Sequence, residues 1–186
     1  EGGTDANQNL SKEEWDVFLV ASYGKIIPSS IFNIPKHKTL NIHPSLLPKY
    51  RGASPIISQI LNDEQEIGTS IMVIDEGMDT GPVVAQKRIT PSPTLPQRER
   101  EKSEKPPLRG GQGGVLSAPE LEKIMAYESV KLLMGVIDKW LVGKIEAKPQ
   151  DNSKATECGK IKKEDGLLDL ENDSPLKNLL KIKAFA

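Results

Sequence analysis

An α/β fold, a sheet with flanking helices, is predicted for this 186-residue sequence on three observations. Short runs of β-favouring apolar residues recur at 16–21, 39–43, 69–75 and 83–89. Glycine, proline or acidic residues break most of these runs, as they do at the ends of buried strands. A long apolar stripe at helical spacing then runs from Leu121 to Leu141. Strand-length runs together with helical periods are the pattern of a sheet covered by helices.

The elements follow in order. Asp16-Val17-Phe18-Leu19-Val20-Ala21 reads as a buried strand, broken by Tyr23-Gly24, and Ile26-Ile27-Pro28 leads into a short helix or turn. Thr39-Leu40-Asn41-Ile42-His43 is the next strand, stopped by Pro44. Two prolines and a glycine make 44–52, with Lys49 and Arg51, a stiff loop. Ser54 before Pro55 predicts an N-cap with proline at the first helical position, and a helix to about Asn62. A strand from Thr69 to Asp75 ends in acid. The tight, glycine-containing loop 76–81 carries Asp79, and a strand from Val83 to Ile89 follows.

From about Pro91 to Leu116 the character changes. Prolines, a charged run and Arg109-Gly110-Gly111-Gln112-Gly113-Gly114 leave no apolar period, so this stretch is expected to be a disordered insertion. It lacks the preceding strand and the Gly-Lys-Ser/Thr ending of a phosphate loop. Ser117-Ala118-Pro119-Glu120 then resembles a capping box, and Gly143 stops the long helix. Beyond Lys148 the chain is polar, with one more extended candidate, and Leu179 to Phe185 ends without an evident cap.

Bulk properties narrow the function classes. Hydrophobic residues at 37% and charged residues at 27% describe a globular chain, and 4% aromatics disfavour a base-stacking platform. A net charge of −1 advertises no polyanionic partner, although a local patch or a further domain could supply one. A single cysteine, Cys158, excludes an intrachain disulfide framework and a multi-cysteine zinc site. The longest apolar stretch, from Val17 to Ala21, is too short to span a membrane, and the first residues lack signal-peptide regions. A cytoplasmic protein with no membrane partner and no metal is the expectation. The first residue is not methionine, which suggests a fragment or processed product.

One constellation carries chemistry. Asn41 and His43 stand at i and i+2 near a strand's C-terminal end, on one face and where α/β sheets place their crevices. Asp79 follows another strand. An amide donor, an imidazole and a carboxylate suit acyl transfer: donors stabilise an oxyanion while a His–Asp pair manages protons. The pattern places no serine or cysteine nucleophile, so direct attack by a substrate amine fits better than an acyl-enzyme. Each residue also has a bland reading, as a strand-end hydrogen-bonding group or, for Asp79, a turn former. Asp75 and Glu76 read as loop-shaping charges, and Cys158 as packing.

Two longer motifs weigh against the bland readings. Asn41-Ile42-His43-Pro44-Ser45-Leu46-Leu47-Pro48, continued by Arg51-Gly52-Ala53-Ser54-Pro55-Ile56, and then Asp75-Glu76-Gly77-Met78-Asp79-Thr80-Gly81-Pro82, resemble the formyltetrahydrofolate-dependent formyltransferases. Ala21 to Pro28, and Pro149-Gln150-Asp151 with Ala155-Thr156, Lys160-Ile161 and Asp165-Gly166, are similar to the branch that formylates methionyl-tRNA. The resemblance implies a partial Rossmann-like sheet lacking the first βα units and the C-terminal β-barrel. It implies a catalytic unit over 1–147 and a connector over 148–186. It makes Asn41, His43 and Asp79 the catalytic trio, and Ser45, Leu46, Leu47 and Pro48 a folate-contacting loop. The implied co-substrate is 10-formyltetrahydrofolate, the implied acceptor is initiator methionyl-tRNA, and a monomer is expected. Another acceptor (an amino-sugar, glycinamide ribonucleotide or water) and a non-catalytic remnant remain open alternatives.

Overall fold

The computed structural model describes Leu10 and residues 13–89 and 116–186. A four-stranded mixed sheet is built from β1 (Phe18–Ala21), β2 (Thr39–His43), β4 (Gly68–Val73) and β5 (Val83–Arg88), in the order β1-β2-β4-β5. β1 runs parallel to β2, whereas β2 with β4 and β4 with β5 are antiparallel. A separate two-stranded pairing joins β3 (Arg51–Gly52) to β6 (Glu157–Cys158) in parallel. The helices are α1 (Ser29–Phe32), α2 (Pro55–Leu61), α3 (Ala118–Leu141) and α4 (Pro175–Ala184).

Strand alternation divides the sheet into two chemically different faces. Leu40 and Ile71 point to one face, with Val84 and Val73, against Leu132, Leu133, Val136, Ile137 and Trp140 of α3. Leu40 and Ile71 are fully buried, which contributes about 1.5–3 kcal/mol for each such side chain. Asn41, His43, Ser70 and Met72 alternate with these residues and so occupy the other face, in the register Asn41↔Met72 and His43↔Ser70. Polar residues gather there because the loop after β2 folds back over it and uses their hydrogen-bonding groups.

A second core lies among the helices. Ile60 of α2, Leu121 and Met125 of α3, and Leu180 and Ala184 of α4 pack with Ile67 and Ile89. The capping box expected at Ser117 is present: the Ser117 backbone N–H and its hydroxyl both donate to Glu120 Oε2 at 2.8 Å. Ser54 occupies the N-cap position of α2 and Pro55 its first turn, but the Ser54 hydroxyl makes no capping hydrogen bond.

Several expectations need correction. The run at 16–21 is a half-exposed edge strand rather than a buried one, with Leu19 49% exposed, because among the described residues β1 pairs on one side only. Arg51–Gly52, read as loop, is a strand, since β6 arrives from far along the chain to pair with it. The C-terminal segment forms a helix from Pro175, with the Ser174 hydroxyl accepting from the Lys177 N–H at 3.2 Å. The expected insertion at 91–116 lies outside the described residues apart from Leu116, which is buried in the helical core. Lys148 exchanges backbone hydrogen bonds of 2.8 Å with Val83, and α4 shares its core with α2 and α3.

Candidate active site

Antiparallel pairing brings the C-terminal end of β2 beside the start of β4, and the loop after β4 returns to the same place. Asp79 sits on that loop with φ 53°, a left-handed conformation uncommon for a residue with a Cβ. Three groups converge on its carboxylate. The Gly52 backbone N–H donates to Oδ2 at 2.8 Å, Asn41 Nδ2 donates to Oδ1 at 3.4 Å, and His43 Nδ1 lies 3.5 Å from Oδ2. The three residues singled out by spacing therefore meet at one carboxylate.

His43 is 3% exposed, and its other nitrogen, Nε2, lies 2.8 Å from the Tyr50 carbonyl oxygen. The Nε2–H donates to that carbonyl, and Nδ1 faces the Asp79 carboxylate. The one short contact to Asp79 comes from backbone, while the two side-chain contacts are long. Contacts of that kind can tighten or be exchanged for a reacting oxygen without rebuilding the site.

The loop 44–50 is a scaffold held from beneath. The Ser70 hydroxyl donates to the Ser45 carbonyl at 2.6 Å and accepts from the Leu47 N–H at 3.1 Å. Gln86 Nε2 donates to the Leu47 carbonyl at 2.6 Å, and Gln59 Nε2 donates to the Pro44 carbonyl at 2.8 Å. The Leu47–Pro48 peptide is cis. Of the four residues expected to contact a ligand, Ser45 and Leu47 are buried, and the Ser45 hydroxyl donates to the Lys49 carbonyl at 2.6 Å. Leu46 and Pro48 are half-buried and retain free surface.

Nucleophilic side chains near the trio are tied up. Cys158 is buried, its thiol donates to the Tyr50 carbonyl at 3.4 Å, and burial, reinforced by the Asp79 charge, pushes its pKa up. Burial, then the hydrogen bond to Glu64 and that group's negative charge, push the Tyr50 phenol up to about 12. Burial alone would raise the Glu64 carboxyl, but hydrogen bonds from the Glu66 N–H, Tyr50 and Lys49 outweigh it and hold the group low. Asp75 shapes the second loop as expected, accepting from the Gly77 N–H at 3.1 Å and the Thr80 hydroxyl at 2.7 Å.

Three contributors lie outside the expected trio. Gly52 has φ 115°, and a Cβ there would meet the Cys158 carbonyl oxygen at 2.2 Å, so only glycine lets β6 approach while its own N–H reaches Asp79. Tyr50 supplies the acceptor for His43 through its backbone. Gln150 lies far along the chain and bonds to the carbonyls of the Asp79 loop. Gly52 and Gln150 stand in the motifs quoted above, but a strand pairing that spans about a hundred residues is invisible to local spacing.

Among the described residues no group of three or more His, Cys, Asp or Glu side chains could hold a metal ion. No helix there is long and apolar enough to cross a membrane.

Comparison with known proteins identifies the family and the fold. Residues 2–104, just over half of the chain, match the family model described as formyl transferase. A methionyl-tRNA formyltransferase of Dictyoglomus turgidum is 41% identical over 154 residues, covering 83% of this chain and 42% of that protein. Its counterpart in Thermotoga maritima is 37% identical over 171 residues, covering 91% and 47%. The chain thus spans less than half the length of these relatives. A solved 4-N formyltransferase from Francisella tularensis superposes with a TM-score of 0.71 at 20% identity, covering 99% of this chain and 66% of that one. HypX from Aquifex aeolicus, solved with tetrahydrofolic acid, gives 0.72 at 18% identity, covering 96% and 27%. These superpositions establish the mixed α/β fold, and the family match over more than half of the sequence shows that the chain belongs to the formyl transferase family.

Proposed function

We propose that the chain carries the centre that transfers a formyl group from 10-formyltetrahydrofolate to the amino group of methionyl-tRNA. The observation that carries the chemistry is Asp79, which accepts from Gly52 and faces both Asn41 and His43. The acceptor rests on the relatives, which are named methionyl-tRNA formyltransferases at 36–41% identity.

The amine attacks the formyl carbon directly, since the Ser45 hydroxyl and Cys158 thiol are both engaged elsewhere. A carbon–nitrogen bond forms to the acceptor, and the bond to the folate nitrogen breaks. Asn41 has a second Nδ2 hydrogen, and with protonated His43 it stabilises the oxygen that gains charge. Asp79 orients the imidazole and helps carry the amine's proton toward the leaving nitrogen. Leu46 and Pro48 offer apolar surface to the folate, while Ser45 and Leu47 shape the loop from behind. Activity in the cytoplasm, as a monomer and without a metal, completes the reading.

The test is single-turnover transfer of labelled formyl from 10-formyltetrahydrofolate, with methionyl-tRNA, an amino-sugar nucleotide, glycinamide ribonucleotide and water offered in parallel. Label on the methionyl amino group is the expected result. Label on another acceptor, or as formate alone, removes the tRNA assignment. No transfer together with no calorimetric heat on folate addition identifies a non-catalytic remnant.

A further inference from the structure

The geometry points to Gln150 as a positioning residue that sets Asp79 through the backbone of its loop, an inference resting on the formyl-transfer reading. The amide works in two directions. Its Nε2 donates to the Asp79 carbonyl at 2.8 Å and to the Gly81 carbonyl at 2.7 Å, using one hydrogen for each. Its Oε1 accepts from Arg51 Nε at 3.1 Å and Nη2 at 2.8 Å.

The two ends of that clasp lead to the same carboxylate. One end holds the backbone of Asp79 in its left-handed conformation, which no tight packing on the exposed side enforces: Met78 beside it is 62% exposed. The other end holds Arg51, whose neighbour Gly52 donates its N–H to Asp79 Oδ2. Gln150 therefore ties the residue bearing the carboxylate to the strand bearing the donor that aims it.

Only a neutral amide does both. Arg51 is 8% exposed and, among the described residues, forms no ion pair; its acceptors are the side-chain oxygens of Gln150 and Asn152, the latter at 2.8 Å. A glutamate at 150 would keep the Arg51 contact. It would also turn an oxygen toward two carbonyl oxygens, replacing two hydrogen bonds with repulsion. Methionine would fill similar volume and lose both ends. Glutamate and methionine thus differ at Arg51 and agree at Asp79.

The experiment compares wild type with Gln150→Glu, Gln150→Met and the neighbouring control Asp151→Ala, which removes a cap to Ser153 but leaves the amide alone. Amide and ring-nitrogen NMR shifts of Gly52 and His43 are read in the full chain, alongside single-turnover formyl transfer. Both Gln150 variants are expected to move the Gly52 amide and the His43 ring signals. They should lower turnover by about 10–100-fold, with KM for the folate donor within about threefold. Asp151→Ala should leave the Gly52 and His43 signals in place. Unchanged Gly52 and His43 signals in folded Gln150→Glu overturn the proposal, as does an equal displacement in Asp151→Ala. Because the NMR readout needs no turnover, a wild-type chain without transfer activity would defeat the functional reading alone.

Discussion

The loop after β2 and the loop after β4 meet at the Asn41–His43–Asp79 centre but are held there in different ways. Loop 44–50 is held mainly from the sheet beneath it, where Ser70 and Gln86 on adjacent strands take up the backbone groups of Ser45 and Leu47, with Gln59 and Thr156 securing its two ends. Loop 74–82 is exposed at Met78 and is held largely from outside, by Gln150 on its backbone and Gly52 on the Asp79 side chain. The first loop is anchored along its length, whereas the second presents a carboxylate whose aim depends on contacts from Gln150 and Gly52. A site divided in this way keeps one wall fixed while the carboxylate beside it stays adjustable.

Three substitutions break or sharpen that contrast. The largest effect on stability belongs to Gly52→Ala, which touches the junction of both loops. The left-handed backbone and the clash with the Cys158 carbonyl together destabilise by on the order of 3 kcal/mol. Urea unfolding measures it, and a loss below half that value would mean that β6 withdraws easily. Ser70→Ala strikes the first loop alone. It leaves the Leu47 N–H and the Gln86 amide short of a partner, for a loss of about 1–3 kcal/mol with the Asp79 contacts intact. Equal loss of His43–Asp79 contact in this variant would show that the loops are not independent.

Tyr50→Phe is the mildest, removing one hydrogen bond to Glu64 for about 1 kcal/mol near neutral pH. It also has a pH signature. The folded phenol titrates at about 12, above the ordinary value of about 10, so the native chain holds that proton more tightly. Its contribution is complete below pH about 10 and is lost as pH rises toward 12. Unfolding curves across that window should therefore fall more steeply for wild type than for Tyr50→Phe.

What was legible in the sequence follows the same division. β2 was readable to the residue, because Thr39 to His43 alternate cleanly and Pro44 ends them. The capping box and the α3 stripe were equally local signals. The trio could be read because i, i+2 spacing on a strand gives Asn41 and His43 a shared face and Asp79 stands on the loop after another strand, and the motif resemblance joined the three. The exposure of Leu19 was not legible, since an apolar run reads alike at a sheet's edge and in its middle. Gly52 and Gln150 stood in recognisable motifs, yet their bonds to the Asp79 loop depend on β6 returning to β3. No local period encodes a contact of that range.

The central claim is that Asp79 organises the chemistry rather than the fold. The most direct test replaces it with asparagine and compares single-turnover formyl transfer and urea unfolding with wild type. The expected result is a fall in transfer of about 10²–10⁴-fold, as for loss of a positioned proton-handling group, with the unfolding midpoint nearly unchanged. Near-normal transfer in Asp79→Asn would contradict the account, and Asp79 would then be a turn residue that happens to lie beside His43.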